Sequence, residues 1–271
     1  MKILRYITSF VIILLFQTTA AIYAQPRLVV NIVVSSMRAD DLTRYENNFS
    51  EGGFRRLIYG GATFYNASYD YMQTTTPVSL ATLTTGAQPS THGVIAEEWF
   101  DYITNNRISL INDDKERSVD FSSGTGNYSP RQLTAQTLSD ALAEQHPDSR
   151  IATIAVEPLS AIVTAGHSGE VYWMEKDKGH WTTSSYYAES LPDWVKSYNQ
   201  ANINQIYAMG RWTTMLPYDS YTNSQVLHIE GLHSKTNKRI EFINPTNGKP
   251  SKKGSAADIY KHIAMTPTGN S

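Results

Sequence analysis

Any chemistry in this chain must come from hydroxyls, carboxylates and imidazoles, because the sequence contains no cysteine. The lack of thiols excludes disulfides, a thiolate zinc site and a cysteine nucleophile, so a metal ion would be held by His, Asp and Glu. Asp258 and His262 lie one helical turn apart and form one local pair of this kind. The other histidines are scattered, and we expect His92 and His167 to be structural.

A hydroxyl at a predicted helix start is the second candidate. Pro77 suits the first turn of a helix over residues 76–85, and Gly86 would end that helix. On the residues alone, Thr76 is the last of three consecutive threonines and caps the helix. A nucleophilic role for the same hydroxyl stays open at this point.

Apolar runs predict the strands that would position these groups. Residues 27–34 form a nearly continuous β-branched run, which is typical of a strand buried on both faces of a parallel sheet. Residues 62–69 predict a second strand, and residues 150–156 a third that is also buried. Helical spacing covers residues 42–58 and 134–144. This order predicts βαβ crossovers and an α/β fold, with a mostly parallel sheet flanked by helices.

The remaining sequence is less regular. Residues 99–130 indicate a polar insertion, and residues 160–255 a less regular excursion. The excursion contains a predicted short strand, a helix and two strands of a hairpin or meander, at residues 172–174, 192–202, 226–229 and 240–243. No internal repeat or low-complexity linker interrupts the chain, so we predict one domain over residues 25–271, incomplete at its C-terminus.

The first residues have the pattern of a secretory signal peptide over residues 1–24. Lys2 and Arg5 supply the positive start, an apolar stretch follows, and cleavage after Ala24 would leave Gln25 as the new terminus. We therefore expect export across the inner membrane, most simply to the periplasm; an uncleaved N-terminal anchor is the alternative. No later apolar run is long enough to span a bilayer, so we expect no membrane span after signal removal.

Composition limits the partners. Hydrophobic residues make up 41% of the 271 residues and charged residues 18%, which is ordinary for a folded protein and excludes a disordered one. The net charge of −2 gives no electrostatic attraction to nucleic acid or anionic lipid. The substrate and the oligomeric state are left open.

Three segments, residues 27–38, 76–93 and 165–194, together resemble one family. The middle segment contains the pattern TG-x-x-P-x-x-HG at residues 85–93, and the last contains AGH, VYWM and TTSSYY. These segments resemble the phosphate-irrepressible alkaline phosphatases. That group is a monoesterase branch of the alkaline phosphatase superfamily, close to the nucleotide pyrophosphatases and phosphodiesterases.

The resemblance implies a zinc enzyme that acts on phosphate esters. In that family a threonine at a helix start attacks phosphorus, and two zinc ions hold the attacking and leaving oxygens. The matching position in this sequence is Thr76. A helix N-terminus also favours the negative charge of a phosphate.

Four positions depart from the pattern that the resemblance implies. Ser35 stands where the family has a zinc-binding Asp, and Glu97, beside Glu98, stands where it has an Asn that donates to phosphate. Glu157 and Leu159 replace a Lys and an Arg that grip phosphate oxygens. The sequence therefore predicts no intact metal or substrate site, and we expect no metal cofactor for this chain.

The other metal ligands of the family follow a TP-x-GN element, which corresponds here to residues 266–270, one residue before the last residue given. We therefore expect a truncated or degenerate homologue that is catalytically inactive. A fragment of a zinc-dependent phosphomonoesterase or phosphodiesterase using Thr76 is the first alternative. A cell-envelope interaction module, suggested by the tyrosines of residues 172–207, is the second. A sheet without its later strands would expose an edge, so we also expect poor solubility.

Overall fold

The computed structural model describes residues 26–119, 126–175 and 179–201. The chain divides into two compact units, residues 1–41 and residues 42–271. The predicted signal peptide, the predicted strands at residues 226–229 and 240–243, and the Asp258 and His262 pair lie outside the described residues.

The described part of the first unit contains no strand, so the prediction for residues 27–34 is wrong. Its apolar side chains face solvent: Leu28 is 79% exposed and Ile32 is 77% exposed. The physical reason is that a strand requires a neighbour for its backbone hydrogen bonds, and no described strand pairs with this run. The segment leaves its extended run in a turn at Ser36, which has a φ of 61°.

Short helices follow along the chain from Asp41. They are α1 (Asp41–Arg44), a 3-10 helix (Glu46–Asn48), α2 (Phe54–Gly60), α3 (Thr76–Thr85) and α4 (Pro89–His92). The predicted helix over residues 42–58 is thus broken into three pieces, whereas α3 has its predicted bounds. The predicted strand over residues 62–69 is wrong: these residues form turns and irregular backbone with mostly exposed side chains, and no described strand pairs with them.

The predicted polar insertion contains a β-hairpin. Strand β1 (Glu98–Asp101) pairs antiparallel with β2 (Asn106–Ser109). Asn105 has a φ of 55° in the connecting turn. The Asp101 carboxylate accepts hydrogen bonds from the Ile103 amide at 3.0 Å and the Thr104 hydroxyl at 2.6 Å. The tip is open to solvent, with Tyr102 88% and Ile103 95% exposed.

The second sheet contains one βαβ crossover, as predicted. The elements of this part of the chain are α5 (Leu138–Gln145), β3 (Ala152–Ala155), α6 (Pro158–Ala165), β4 (Glu170–Glu175), β5 (His180–Thr182) and α7 (Asp193–Gln200), and the crossover is formed by β3, α6 and β4. Strands β3 and β4 are parallel, and β5 is antiparallel to β4. Strand β3 is an edge of this sheet within the described residues, so Ile154 is 57% exposed and the prediction of a fully buried strand is wrong.

Helix α5 begins later than predicted because its cap fixes the start. The Thr137 hydroxyl accepts from the Asp140 amide, and the Asp140 carboxylate accepts from the Thr137 amide, which is a capping box. The core lies between α3, α6 and β4, and its members include Val78, Leu80, Ala81, Leu159, Ala161, Ile162, Val171 and Trp173.

Candidate functional site

Helix α3 presents Thr76 at its first position. Thr75 is the N-cap, with extended backbone at φ −68° and ψ 159°, so the expectation that Thr76 is the capping residue is corrected. Pro77 occupies the first turn, and Gly86 closes the helix in the left-handed conformation at φ 66°. Thr76 is exposed, and its hydroxyl has no hydrogen-bond partner in the part of the chain that the structure describes.

A hydrogen-bonded chain holds α3 against the segment that follows it. The Thr82 hydroxyl oxygen accepts from the Tyr71 hydroxyl at 2.7 Å and lies 3.1 Å from His92 Nε2. The Val94 amide donates to His92 Nδ1 at 3.1 Å, so Nδ1 is unprotonated and the neutral ring donates through Nε2. Burial lowers the pKa of His92 from its usual 6.5, which favours this neutral form. His92 is therefore a structural residue here.

The TG-x-x-P-x-x-HG pattern is explained by two left-handed glycines. Gly86 ends α3 and Gly93, with φ 78°, ends α4. A Cβ on Gly93 would lie 3.0 Å from the Thr134 hydroxyl oxygen, so this position has room for glycine and little else. The pattern thus builds a compact connection after α3.

Helices α3 and α6 pack against each other in the core. The Thr84 hydroxyl lies 3.3 Å from the Val163 carbonyl oxygen, and both residues belong to the last turn of their helices, so the C-terminal ends lie together. Strand β3 leads into α6 through Glu157, the exposed N-cap, whose side chain makes no capping hydrogen bond. Leu159, in contrast, is 9% exposed and packs in the core.

The two glutamates at 97 and 98 belong to the base of the hairpin. Glu97 is exposed, and its carbonyl accepts from the Leu110 amide at 2.9 Å. Glu98 forms an ion pair with Arg107 at 3.1 Å. Within the described ranges, no hydrogen bond or ion pair joins Glu97 to Thr76 or Glu157. The structure therefore shows α3 packed against α6, and connects Glu97 to Leu110, directly after β2.

Ser35 lies in the first unit and is exposed. The neighbouring acidic residues are engaged locally: Asp40 pairs with Arg38 at 2.8 Å, and Asp41 accepts from the Arg38 amide at 3.0 Å. A serine hydroxyl is a poor zinc ligand compared with a carboxylate. Among residues 26–119, 126–175 and 179–201, no three His, Asp or Glu side chains gather where they could hold a metal ion. The residues that the structure describes therefore do not fit a zinc pair.

One hydrogen-bonded pair, between the buried Asp140 and the exposed His167, was not predicted from the sequence. His167 Nδ1 lies 3.0 Å from Asp140 Oδ2, and His167 Nε2 lies 3.1 Å from the Leu133 carbonyl oxygen. Burial opposes ionisation of Asp140, but bonds from the Thr137 amide and from His167 and Ser168 outweigh it and lower the pKa of Asp140. This cluster lines an open cleft of about 570 Å³. The signal in the sequence was the capping box Thr137-x-x-Asp140.

A second missed cluster surrounds Arg131. Its guanidinium pairs with Asp113 at 2.5 Å and with Glu116 at 2.6 Å, and it lies 5.6 Å from the centre of the Tyr186 ring. The Ser185 hydroxyl donates to Glu116 at 2.7 Å. The polar insertion is thereby attached to the TTSSYY block. Sequence spacing gives no sign of such long-range pairs.

Comparison with known proteins identifies the class. The sequence matches the type I phosphodiesterase / nucleotide pyrophosphatase family over residues 29–244. It is 31% identical to the alkaline phosphatase PafA of Elizabethkingia meningoseptica over 252 residues, covering 91% of this chain and 45% of the relative. It is also 31% identical to the alkaline phosphatase PhoV of Synechococcus elongatus, covering 92% of this chain and 44% of that protein.

Solved structures give the same answer. The crystal structure of wild-type PafA superposes with a TM-score of 0.71 at 32% identity, covering 74% of this chain and 39% of the other. A PafA variant in which one threonine, one asparagine, one lysine and one arginine are replaced gives a TM-score of 0.69. The chain belongs to the type I phosphodiesterase / nucleotide pyrophosphatase family within the alkaline phosphatase superfamily, as the motifs predicted.

These matches also define what is covered. The chain spans less than half the length of the curated relatives, at 45% and 44%. Those relatives are named alkaline phosphatases, a class that acts on phosphate esters and typically uses metal ions. Helices long and apolar enough to cross a membrane are not found in the described part of the chain.

Proposed function

We propose that this chain is an exported alkaline-phosphatase-like protein that does not hydrolyse phosphate esters with the residues it carries. The observation that carries the proposal is the start of α6, where the resemblance assigns two phosphate-gripping cations. Glu157 is an exposed carboxylate at that start, and Leu159 is packed into the core. Neither side chain donates a hydrogen bond to an anion.

Magnitudes support this reading. A carboxylate about 4 Å from a phosphate charge costs about 4 kcal/mol at an effective dielectric near 20. Solvent reduces that repulsion where the carboxylate stays exposed, as Glu157 does. The loss of a charged hydrogen bond from an arginine removes a further ~1.5–3 kcal/mol of binding free energy. Each effect weakens phosphate binding by about tenfold or more. Ser35 removes a carboxylate from the proposed zinc site as well.

The test is turnover of p-nitrophenyl phosphate by the purified chain with added zinc. We expect no hydrolysis above the zinc-only background, and the same result for Thr76→Ala. Hydrolysis that disappears in Thr76→Ala would overturn the proposal. Glu157→Lys is the matched variant: it restores a cation at the surface, and it should strengthen binding of inorganic phosphate measured by calorimetry.

A zinc-dependent phosphoesterase that uses Thr76 is the second candidate. The observation in its favour is the exposed, unbonded hydroxyl of Thr76 at the first position of α3. A hydroxyl there could receive a phosphoryl group at a helix N-terminus. The coding sequence beyond residue 271 separates the candidates, because this function requires the Asp and His ligands that the family resemblance places after residues 266–270.

Export belongs to the same proposal and has its own test. Lys2, Arg5 and the apolar stretch that follows support a cleaved leader over residues 1–24, leaving a domain over residues 25–271. Expression in a Gram-negative host, followed by fractionation and N-terminal sequencing, should place the protein in the periplasm beginning at Gln25. A cytoplasmic protein that begins at Met1 would contradict it.

A further inference from the structure

Two serines face each other where the polar insertion meets the TTSSYY block. The Val119 amide donates to the Thr183 carbonyl at 3.0 Å, and the Ser185 amide donates to the Arg117 carbonyl at 2.9 Å. Between these bonds, Ser118 and Ser184 form an isolated antiparallel bridge. They are therefore a non-hydrogen-bonded pair, whose Cα atoms lie about 4.5 Å apart and whose side chains project to the same side.

Both hydroxyls are sealed from solvent. Ser118 is 9% exposed and Ser184 is 0% exposed, and neither hydroxyl oxygen has a hydrogen-bond partner among the residues that the structure describes. Gly126 packs directly on Ser118, because a Cβ on it would lie 2.8 Å from the Ser118 hydroxyl oxygen. The two serines are thus enclosed, and each hydroxyl can donate and accept.

A buried hydroxyl without a partner lowers the folding equilibrium constant by roughly five- to a hundredfold. Native proteins seldom tolerate such groups, and they satisfy them with ordered internal water when two to four polar partners converge. Ser118 and Ser184 converge from two segments that are far apart in sequence.

We propose that Ser118 and Ser184 bind one internal water molecule, which bridges residues 117–119 to residues 183–185. The water adds to the two backbone hydrogen bonds that already join these segments. It accepts from or donates to each hydroxyl, so both orphan groups are satisfied at once. The proposal concerns the folded domain and is independent of catalysis.

The test is urea unfolding of the full chain as Ser118→Ala, Ser184→Ala and the double variant. We expect each single variant to lower the folding equilibrium constant by about five- to tenfold, because the water loses one of its two anchors. The double variant should be no worse than the poorer single one. An unchanged or raised constant in either single variant would overturn the proposal, since removing a truly orphaned hydroxyl is neutral or favourable.

Two neighbouring threonines are matched controls. Thr182 donates its hydroxyl to the Val119 carbonyl at 2.8 Å, so Thr182→Val measures the loss of a direct bond in the same place. Thr183, also buried without a side-chain partner, points to the other face of the chain, because successive side chains alternate. The effect of Thr183→Val should simply add to that of Ser118→Ala.

A direct hydrogen bond between the two serine hydroxyls would also make the effects of the two substitutions non-additive. A second measurement therefore separates the direct bond from the water bridge. A high-resolution crystal structure should show one water oxygen within hydrogen-bonding distance of both hydroxyls. A direct contact between the two hydroxyl oxygens, with no water between them, would refute the inference.

Discussion

Helices α3 and α6 share one core and meet at their C-terminal ends, yet their first turns differ in what they present. The first turn of α3 has Thr76, an exposed hydroxyl of the type that the family resemblance implies for a nucleophile. The first turn of α6 has Glu157 at its cap and Leu159 in the core, where that resemblance implies two cations. The difference teaches that the packing of a helix and the chemistry of its first turn can be inherited separately.

The largest expected effect tests whether the start of α6 now serves stability. Leu159→Ala should lower the free energy of unfolding by about 2–4 kcal/mol, because it removes a buried side chain and leaves a cavity. Leu83→Ala on α3 is the matched control, since Leu83 is 57% exposed, and it should change stability by less than about 0.5 kcal/mol. Equal losses of stability in the two variants, measured by urea unfolding, would contradict a specific role of Leu159 in stability.

The hydrogen bond of the buried His92 to α3 should make the stability of the protein depend on pH. Because burial lowers the pKa of His92, the unfolded chain binds the proton more readily, and stability should fall as pH drops below about 6.5. The slope cannot exceed about 1.4 kcal/mol per pH unit for one group. His92→Gln should remove this slope in unfolding measured between pH 7 and 5. His146→Gln, at an exposed histidine, should retain it.

A smaller effect concerns the charge that now caps α6. Glu157→Gln should lower stability by about 0.3–1 kcal/mol, because a carboxylate at a helix N-terminus interacts favourably with the helix dipole. This loss of stability should be smaller in ~1 M salt, because salt screens the interaction of the carboxylate with the helix dipole. Glu97→Gln removes an exposed carboxylate away from any helix start and should leave stability unchanged. A salt-independent loss would mean that Glu157 acts by another contact.

The smallest effect is expected at the start of α3. Thr76→Ala should change the free energy of unfolding by less than about 0.5 kcal/mol, because its hydroxyl holds no structural hydrogen bond in the described chain. Thr137→Ala is the contrasting case, since Thr137 forms a capping box, and it should cost about 1 kcal/mol or more. A large loss in Thr76→Ala would assign this threonine a structural role.

Local signals in the sequence predicted the local elements well. Pro77 and Gly86 gave α3 its bounds, and residues 172–174 and 192–202 predicted β4 and α7, because turn chemistry and side-chain periodicity act over a few residues. The predicted strands at residues 27–34 and 62–69 failed because strand formation depends on a partner elsewhere in the chain. An apolar run predicts which side chains would be buried, but it does not identify the strand that would pair with it.

The candidate site was less predictable still. The predicted helix start drew attention to Thr76, but family resemblance supplied its nucleophile role and the substituted positions. The burial of Leu159 and the links from Arg131 to Asp113 and Glu116 join residues through the fold, so they become visible only in three dimensions. The role of Thr76 as a nucleophile stays a prediction.

The β1–β2 hairpin has a practical consequence. Its tip projects Ile103 almost completely into solvent, and the sequence has no cysteine anywhere. Ile103→Cys would therefore create a single, accessible thiol for a fluorophore or spin label. Such a probe would report on the polar insertion of the purified protein without disturbing the interior.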